Sequence, residues 1–540
     1  MCGIFAGYTP MVCFLEAGFI QAEFDKIQYR GPDLTKFALD KNEHVAMGFH
    51  RLAINGLGSS GDQPMVHPED PDLILVCNGE IYNHKQLIED NGFQTKSSSD
   101  CEVILHMYKK HGIRETVKRL DGVFAFVLYD RKKDLMVAAR DRFGVRPLFI
   151  GYESTFDRNC PTFLASEAKA LTELSGYITP FPPGTVWFSD EPYLFSAYYS
   201  YSYPVTEEGT EEEICNNIRD LLTKSVEKRM MSEREIGCLL SGGLDSSLIS
   251  ALVSKNMKAN GKKLKTFSIG MEGSPDLEYA KKVAEHIDSE HHVVQLTSQE
   301  FLDAIETVIY NIESYDTTTV RASVGNYLVS KYIRENTNCK VVFNGDGADE
   351  VCMGYVYNQN APSDEEFYYE NIRLLREIHY FDVLRSDRSI SSNGLEPRTP
   401  FLDKDFVEYY MNIEPEHKRF GKNNKPEKYL LRKAFEESGL LPDEVLWRHK
   451  CAFSDGVSSI ENSWHKTLKQ FVDSQLSDEE FELIKKNTEH CKPILKESAF
   501  YRKIYESYYG EHVALIPHFW MPRWTNVTDP SARELSNYKE

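Results

Sequence analysis

The chain has 540 residues, 62 Lys and Arg against 83 Asp and Glu, a formal net charge of -21 and a pI near 5.3. That length exceeds what one hydrophobic core usually holds, so two or three domains are expected. The acidic balance argues against general affinity for nucleic acid or an anionic membrane, both of which need basic footprints. The eleven cysteines include no C-x-x-C pair, which suggests neither a zinc knuckle nor a disulfide framework and fits a reduced, cytoplasmic setting. The longest apolar runs, such as Leu73 to Cys77 and Val123 to Tyr129, fall far short of the roughly 20 residues a membrane helix needs. No secretory leader is read at the amino end.

Met1-Cys2-Gly3-Ile4 places a thiol where removal of the initiator Met would leave it carrying an α-amino group, which can act as the base for its own nucleophile. A small buried hydrophobe at a strand start is the plain alternative. In His50-Arg51-Leu52-Ala53-Ile54-Asn55 an arginine sits at a strand edge, where its planar guanidinium can hold a carboxylate at two points. The strand Leu73 to Val76 leads into Cys77-Asn78-Gly79-Glu80. There the Asn78 amide and the Gly79 N–H form a ready oxyanion hole. Ser99-Asp100-Cys101-Glu102 opens a helix and leaves Asp100 able to pair with an ammonium. Thiol, oxyanion hole, carboxylate clamp and ammonium partner together describe a glutamine pocket.

This set resembles the class II glutamine amidotransferase domain. The resemblance implies an N-terminal-nucleophile αββα sandwich over residues 2–205, with Cys2, Asn78 and Gly79 catalytic. Arg51 to Asn55, Glu80 and Asp100 would hold glutamine. Arg140 and Arg142, in the loop 139–148, are expected to form scaffold ion pairs. Pro182-Pro183-Gly184 and the tyrosine-rich stretch Tyr193 to Tyr203 mark a linker.

A helix is expected from Glu211 to Ser232, then a buried strand from Ile236 to Leu240. Next comes Ser241-Gly242-Gly243-Leu244-Asp245-Ser246-Ser247, ahead of apolar residues at helical spacing. Two glycines, hydroxyl donors and the positive end of an opening helix make a cradle for phosphate. It lacks the Gly-Lys-Ser/Thr ending of the Walker loop, and Asp245 beside phosphates suits magnesium. The cradle looks like the pyrophosphate loop of ATP pyrophosphatases. Strands at Leu264 to Gly270, Val293 to Leu296 and Val341 to Phe343 alternate with helices, which predicts a doubly wound parallel sheet over residues 206–540.

The acidic loop Asn344-Gly345-Asp346-Gly347-Ala348-Asp349-Glu350 suggests magnesium and proton chemistry. Thr317-Thr318-Thr319, read alone, is more simply a helix cap than a phosphate site. From end to end the chain resembles the glutamine-hydrolysing asparagine synthetase family. That resemblance implies ATP contacts at Leu239, Ser241, Gly242, Gly243, Asp245, Ser246, Ile269, Asn344 and Gly345. It also implies pyrophosphate contacts at Thr318, Thr319, Arg321 and Lys450, magnesium at Asp245 and Asp349, and Arg398 on aspartate. The aromatic ending, His518 to Trp524, is expected to anchor the tail without touching a ligand. Family members are often dimers, so a homodimer is an expectation.

Relatives usually carry Ser-Gly-Glu-Gly-Ser-Asp-Glu where this chain has Asn-Gly-Asp-Gly-Ala-Asp-Glu. The catalytic carboxylate, Asp346, is therefore one methylene shorter than theirs. Two other readings share the second half: a β-lactam-type synthetase, against which Cys2, Arg51, Asn78 and Asp100 speak, and a metabolite-binding regulator. Release of pyrophosphate that depends on aspartate would separate the regulator from an enzyme.

Overall fold

The computed structural model describes residues 1–10, 17–40, 44–153, 160–206, 209–421, 425–450, 453–459 and 463–531. The first half holds two six-stranded antiparallel sheets. One runs in the order Tyr177–Pro180, Phe149–Tyr152, Thr162–Ala165, Gly3–Tyr8, Val45–Arg51, Leu34–Asp40. The other runs Phe195–Ala197, Thr185–Phe188, Leu135–Arg140, Gly122–Asp130, Asp70–Ile81, Met65–His67.

The two sheets face each other across a dry layer to which Ile4, Phe49, Val76, Val127 and Trp187 contribute, all at most 1% exposed. Each such side chain stabilises the sandwich by about 1.5–3 kcal/mol relative to leaving it in water. On the outer faces, Phe24 from the helix Ala17–Asp25 covers the first sheet and Val103 and Leu105 from Glu102–His111 cover the second. With apolar residues on both faces, the central strands read as continuous hydrophobic runs, and the αββα layering of an N-terminal-nucleophile fold results.

The strand Asp70–Ile81 extends beyond the expected Leu73 to Val76, and Asn78 pairs with Ala125 inside the sheet. Asn-Gly looks like a loop, yet here the glycine lets a neighbouring strand approach. A Cβ on Gly79 would lie 2.4 Å from the Val123 carbonyl oxygen.

Arg140 is scaffold, as expected, but forms no ion pair of the kind anticipated. Its guanidinium donates to the carbonyls of Arg146, Phe181 and Gly144 at 2.7–2.8 Å. Asp141 instead accepts backbone N–H groups from Phe143, Val145 and Arg146. Arg142 lies over the Tyr199 ring. The tyrosine-rich stretch is packed: Tyr198 and Tyr201 donate to the carbonyls of Arg140 and Arg142 at 2.8 Å.

The helix Glu211–Arg229 follows, opened by a Thr210/Glu213 capping box. A parallel sheet comes next, in the order Glu290–Gln295, Lys265–Gly270, Glu235–Leu239, Cys339–Phe343, Glu396–Arg398. Taken in chain order within that sheet, the strands run 3-2-1-4-5. The direction of winding therefore reverses between Glu235–Leu239 and Cys339–Phe343, and a crevice opens beyond their carboxyl ends. The phosphate cradle and the acidic loop leave those two strands. No helix among the described residues is long and apolar enough to cross a membrane.

Candidate active site

Cys2 sits opposite Arg51, next to the Gly3–His50 pair of neighbouring strands, and its thiol points at the Leu52 carbonyl, 3.6 Å away. Burial pushes this thiol up to about 11, and pushes the Met1 amine, bonded to the Leu395 carbonyl at 3.1 Å, down to about 5. The segment after Arg51 reaches the oxyanion strand: Asn55 Nδ2 donates to Glu80 Oε2 at 2.7 Å. Asp100 Oδ2 accepts from the Ile81 N–H at 2.6 Å. Burial raises the carboxyls of both Glu80 and Asp100.

The Asn78 side chain is 1% exposed, and neither its oxygen nor its nitrogen has a hydrogen-bond partner among the described residues. A buried amide left without partners is expensive in free energy unless a ligand completes it. Arg51 spends its terminal nitrogens on the loop that follows, on the Gly56 carbonyl, the Gly58 carbonyl at 3.0 Å and Asp62 Oδ1 at 2.5 Å.

The second site is a cavity of about 260 Å³ at the crevice of the parallel sheet. Leu239 and Ile269 line it from the strand ends, with Ser241, Gly243, Asp245 and Ser246 from the cradle and Asn344, Gly345, Asp346 and Asp349 from the acidic loop. The cradle holds its own shape: Ser246 Oγ accepts the Ser241 N–H at 3.1 Å and lies 3.0 Å from Ser241 Oγ. Gly242 has φ +74°, and a Cβ there would meet the Ala280 nitrogen at 2.5 Å, so only glycine fits. Arg448 Nη1 donates to the Gly242 carbonyl at 3.0 Å, and Nη2 grips Asp276.

Asp346 has both oxygens engaged, Oδ2 by Asn344 Nδ2 at 2.7 Å and Oδ1 by Arg385 Nη2 at 2.9 Å. Lys428 bridges Asp245 and Asp349, and Lys450 holds the other oxygen of Asp349. Burial opposes ionisation of Asp349, but these two ammonium groups keep its carboxyl well below the usual range. One oxygen of Asp245 is buried and unpartnered among the described residues. A carboxylate with an oxygen to spare, Asp245, next to a phosphate cradle fits a magnesium ion that takes most of its ligands from phosphate and water, with Asp349 available to it only as its lysine partners turn to the phosphates.

The family model described as Glutamine amidotransferase domain matches residues 1–181, and that described as Asparagine synthase matches residues 217–369 and 358–529. The glutamine-hydrolyzing asparagine synthetase of Gallus gallus is 45% identical over 570 residues, covering 100% of this chain and 99% of the relative. The chain belongs to the asparagine synthetase family. The glutamine-hydrolyzing asparagine synthetases of Homo sapiens and Bos taurus are each 44% identical, over 573 and 569 residues, with 100% of this chain and 99% of each relative aligned.

Two arginines of this asparagine synthetase family chain are not where the sequence placed them. Arg321 does not line the cavity. Its guanidinium is consumed by Glu497, at 2.6 and 2.8 Å, and by Asp529, at 2.7 and 2.9 Å. Arg398 faces the first half instead of the crevice: it donates to Glu396 and to the carbonyls of Arg229 and Met231, and lies 3.4 Å from Glu80. Arg321 is held by partners far along the sequence, Arg398 by its neighbour Glu396 together with distant carbonyls.

Thr318 and Thr319 do line the cavity. The cap reading does not hold for the threonines themselves: the N-cap is Asp316, which accepts from the Thr319 N–H at 2.9 Å and from its hydroxyl at 2.7 Å, whereas the buried Thr318 hydroxyl has no partner among the described residues. The tail aromatics anchor as expected, yet Trp520 also forms part of the cavity wall, packed on Tyr355. In the Trp447 to Gly456 motif, Cys451 and Ala452 lie outside the described residues.

Among the cavity residues that the sequence did not point to are Lys428, Arg385 and Trp520. Lys428 has φ +55° at the start of the helix Tyr429–Phe435, a left-handed conformation that costs a residue other than glycine about 1–2 kcal/mol. Its two carboxylate partners hold it there.

Proposed function

We propose that this chain makes L-asparagine from L-aspartate, L-glutamine and ATP, with the two reactions divided between its two sites. The carrying observation is the coexistence, on a chain similar along its whole length to glutamine-hydrolyzing asparagine synthetases, of a thiol at position 2, an Asn78 amide buried without a hydrogen-bond partner among the described residues, and a separate cavity that joins a phosphate cradle to acidic and basic side chains.

At the first site, with Met1 removed, Cys2 attacks the side-chain amide of glutamine and its own amine takes the thiol proton. The Asn78 amide and Gly79 N–H receive the developing oxyanion, which gives the orphaned Asn78 its missing partner. Arg51 to Asn55, Glu80 and Asp100 hold the rest of glutamine. Ammonia leaves, and water then clears the glutamyl thioester.

At the second site the side-chain carboxylate of aspartate attacks the α-phosphorus of ATP, giving β-aspartyl-AMP and pyrophosphate. Cradle N–H groups, the hydroxyls of Ser241, Ser246, Thr318 and Thr319, and Lys450 orient and neutralise the phosphates. Leu239 and Ile269 pack against the adenine. Magnesium, held by Asp245 and Asp349, would add charge neutralisation on the phosphate oxygens. Ammonia displaces AMP, and Asp346 is placed to accept the proton that the new amide sheds. At neutral pH free ammonia is mostly ammonium and not nucleophilic, which favours direct passage between the sites.

The test is asparagine formation from glutamine and, separately, from ammonium salts, in the parent and in Cys2→Ala. Loss of only the glutamine-driven reaction is expected. Retention of glutamine-driven synthesis would refute the division of labour.

A further inference from the structure

The helix Asp382–Ser391 stands between the two sites and is hydrogen-bonded toward both. On the cavity side, Arg385 Nη2 donates to Asp346 Oδ1 at 2.9 Å and to Asp382 Oδ1 at 2.8 Å, and the Ser386 hydroxyl accepts from Asn344 Nδ2 at 2.7 Å. Two residues beyond Arg385, and so about 200° around the helix, Asp387 faces the first half of the chain. It grips Arg30 at two points, 2.8 Å from Nη1 to Oδ2 and 3.1 Å from Nη2 to Oδ1. The third nitrogen of Arg30, Nε, donates to the backbone carbonyl of Cys2 at 3.0 Å. Arg30 and Asp387 are 0% and 2% exposed, so water does not loosen the pair.

We propose that Asp387 is a positioning residue for the Cys2 nucleophile, and that the helix carrying it makes the setting of the thiol depend on what the synthetase cavity holds. This rests on Cys2 being the glutaminase nucleophile. A guanidinium forked onto a carboxylate has one planar geometry, so Asp387 fixes where Arg30 Nε lies and hence where the Cys2 carbonyl lies. A short helix moves as one body. When substrate engages Asp346, the pull on Arg385 changes, and the opposite face of the same helix carries that change to Arg30. Arg388, on the same helix and bonded to Glu313 at the end of the helix Ile305–Ile312, and Glu167, bonded to Arg30 at 2.5 Å, keep the joint stiff. Coupling of this kind is reciprocal for binding, so glutamine would alter ATP affinity by the factor with which ATP and aspartate alter glutamine affinity.

The test uses the full chain with Asp387→Asn, which keeps shape and removes the charge, and with Asp387→Glu, which restores it. Glutamine hydrolysis by Asp387→Asn is expected to lose about tenfold or more in kcat, the scale set by a misplacement of under 1 Å. KM for glutamine should hold within about twofold, as for an interaction lost mainly in the transition state. Ammonia-driven asparagine formation, which reports the fold and the second site, is expected to persist, and Asp387→Glu is expected to regain most of the lost hydrolysis. In the parent, aspartate with a non-hydrolysable ATP analogue should change kcat/KM for hydrolysis, and in Asp387→Asn that response should vanish. Unchanged hydrolysis in Asp387→Asn, an equal ligand response in parent and variant, or parallel loss of both activities without recovery in Asp387→Glu would each overturn the proposal. A Cys2→Ala chain assayed alongside separates the failures: if it still hydrolyses glutamine, the nucleophile is misassigned, whatever Asp387 does.

Discussion

Lys428 Nζ lies 2.5 Å from Asp245 Oδ2 and 2.6 Å from Asp349 Oδ1, so a single ammonium ties the phosphate cradle to the acidic loop. Lys450 also holds Asp349, but without Lys428 the half-buried Asp245 would lose its ammonium partner and face Asp349, and two neighbouring carboxylates do not comfortably hold both charges. Lys428→Met is therefore expected to lower aspartate-dependent release of pyrophosphate from ATP by about two orders of magnitude, the scale of one removed charge stabiliser. Glutamine hydrolysis at the other site should be unchanged. A rate within about threefold of the parent would contradict the bridge's role.

Asn78 supplies a second prediction. Both polar atoms of its side chain are buried and unpartnered among the described residues, and the proposed mechanism gives that amide a negative oxygen to meet. Asn78→Ala should lower kcat for glutamine hydrolysis by about 100- to 1,000-fold and leave synthesis from ammonium salts intact. An effect on KM alone would move Asn78 from the oxyanion to ground-state binding.

The reach of Asp346 can be measured. Asn344 and Arg385 draw its carboxylate back onto the cavity wall. Asp346→Glu adds the methylene this chain lacks relative to its family pattern, and is expected to raise aspartate-dependent pyrophosphate release. An unchanged or lower rate would show that the shorter side chain already sits where the reaction needs it.

Lys418 gives the chain a pH-dependent liability. It is 3% exposed, with two carbonyls and an amide oxygen at 3.3–3.5 Å and no carboxylate partner among the described residues, and burial pushes its amine down to about 7. Unfolded, the same amine titrates near pH 10.4. Between those values the unfolded state holds the extra proton, so stability falls as pH is lowered from about 10 to 7 and levels off below that. Lys418→Met removes the penalty. Its Tm should exceed that of the parent by a few degrees at pH 6, and the gap should close as pH approaches 10. A gap independent of pH would mean that the lysine is charged and satisfied in the fold.

What the sequence made legible was local. The cradle is spelled by consecutive residues between a strand and a helix, so its local form could be read without coordinates, whereas Cys2 stood out only in the company of Arg51, Asn78 and Asp100. The doubly wound sheet followed from the alternation of apolar runs with helical spacing. Arg321 was misplaced because an arginine's role depends on which carboxylate reaches it, and Glu497 and Asp529 come from far along the chain; Arg398 was misplaced because its neighbour Glu396 and the carbonyls of Arg229 and Met231 take its guanidinium. Lys428 and Arg385 carry no local signature at all: a lone basic residue in a charged segment resembles any solvated surface residue. Asn78 was read as following a strand and lies inside one, because Asn-Gly is turn language unless a neighbouring strand needs the space that glycine leaves.

The central claim is that nitrogen freed at Cys2 is consumed in the distant cavity, and an isotope decides it most directly. Glutamine labelled with ¹⁵N in its side-chain amide is supplied with ATP, aspartate and excess unlabelled ammonium, and the asparagine formed is read by mass spectrometry. The label should enter asparagine well above its share of the bulk ammonium pool in the parent, and should be absent in Cys2→Ala. Asparagine carrying only the isotopic composition of the bulk pool, or labelled asparagine from Cys2→Ala, would contradict it.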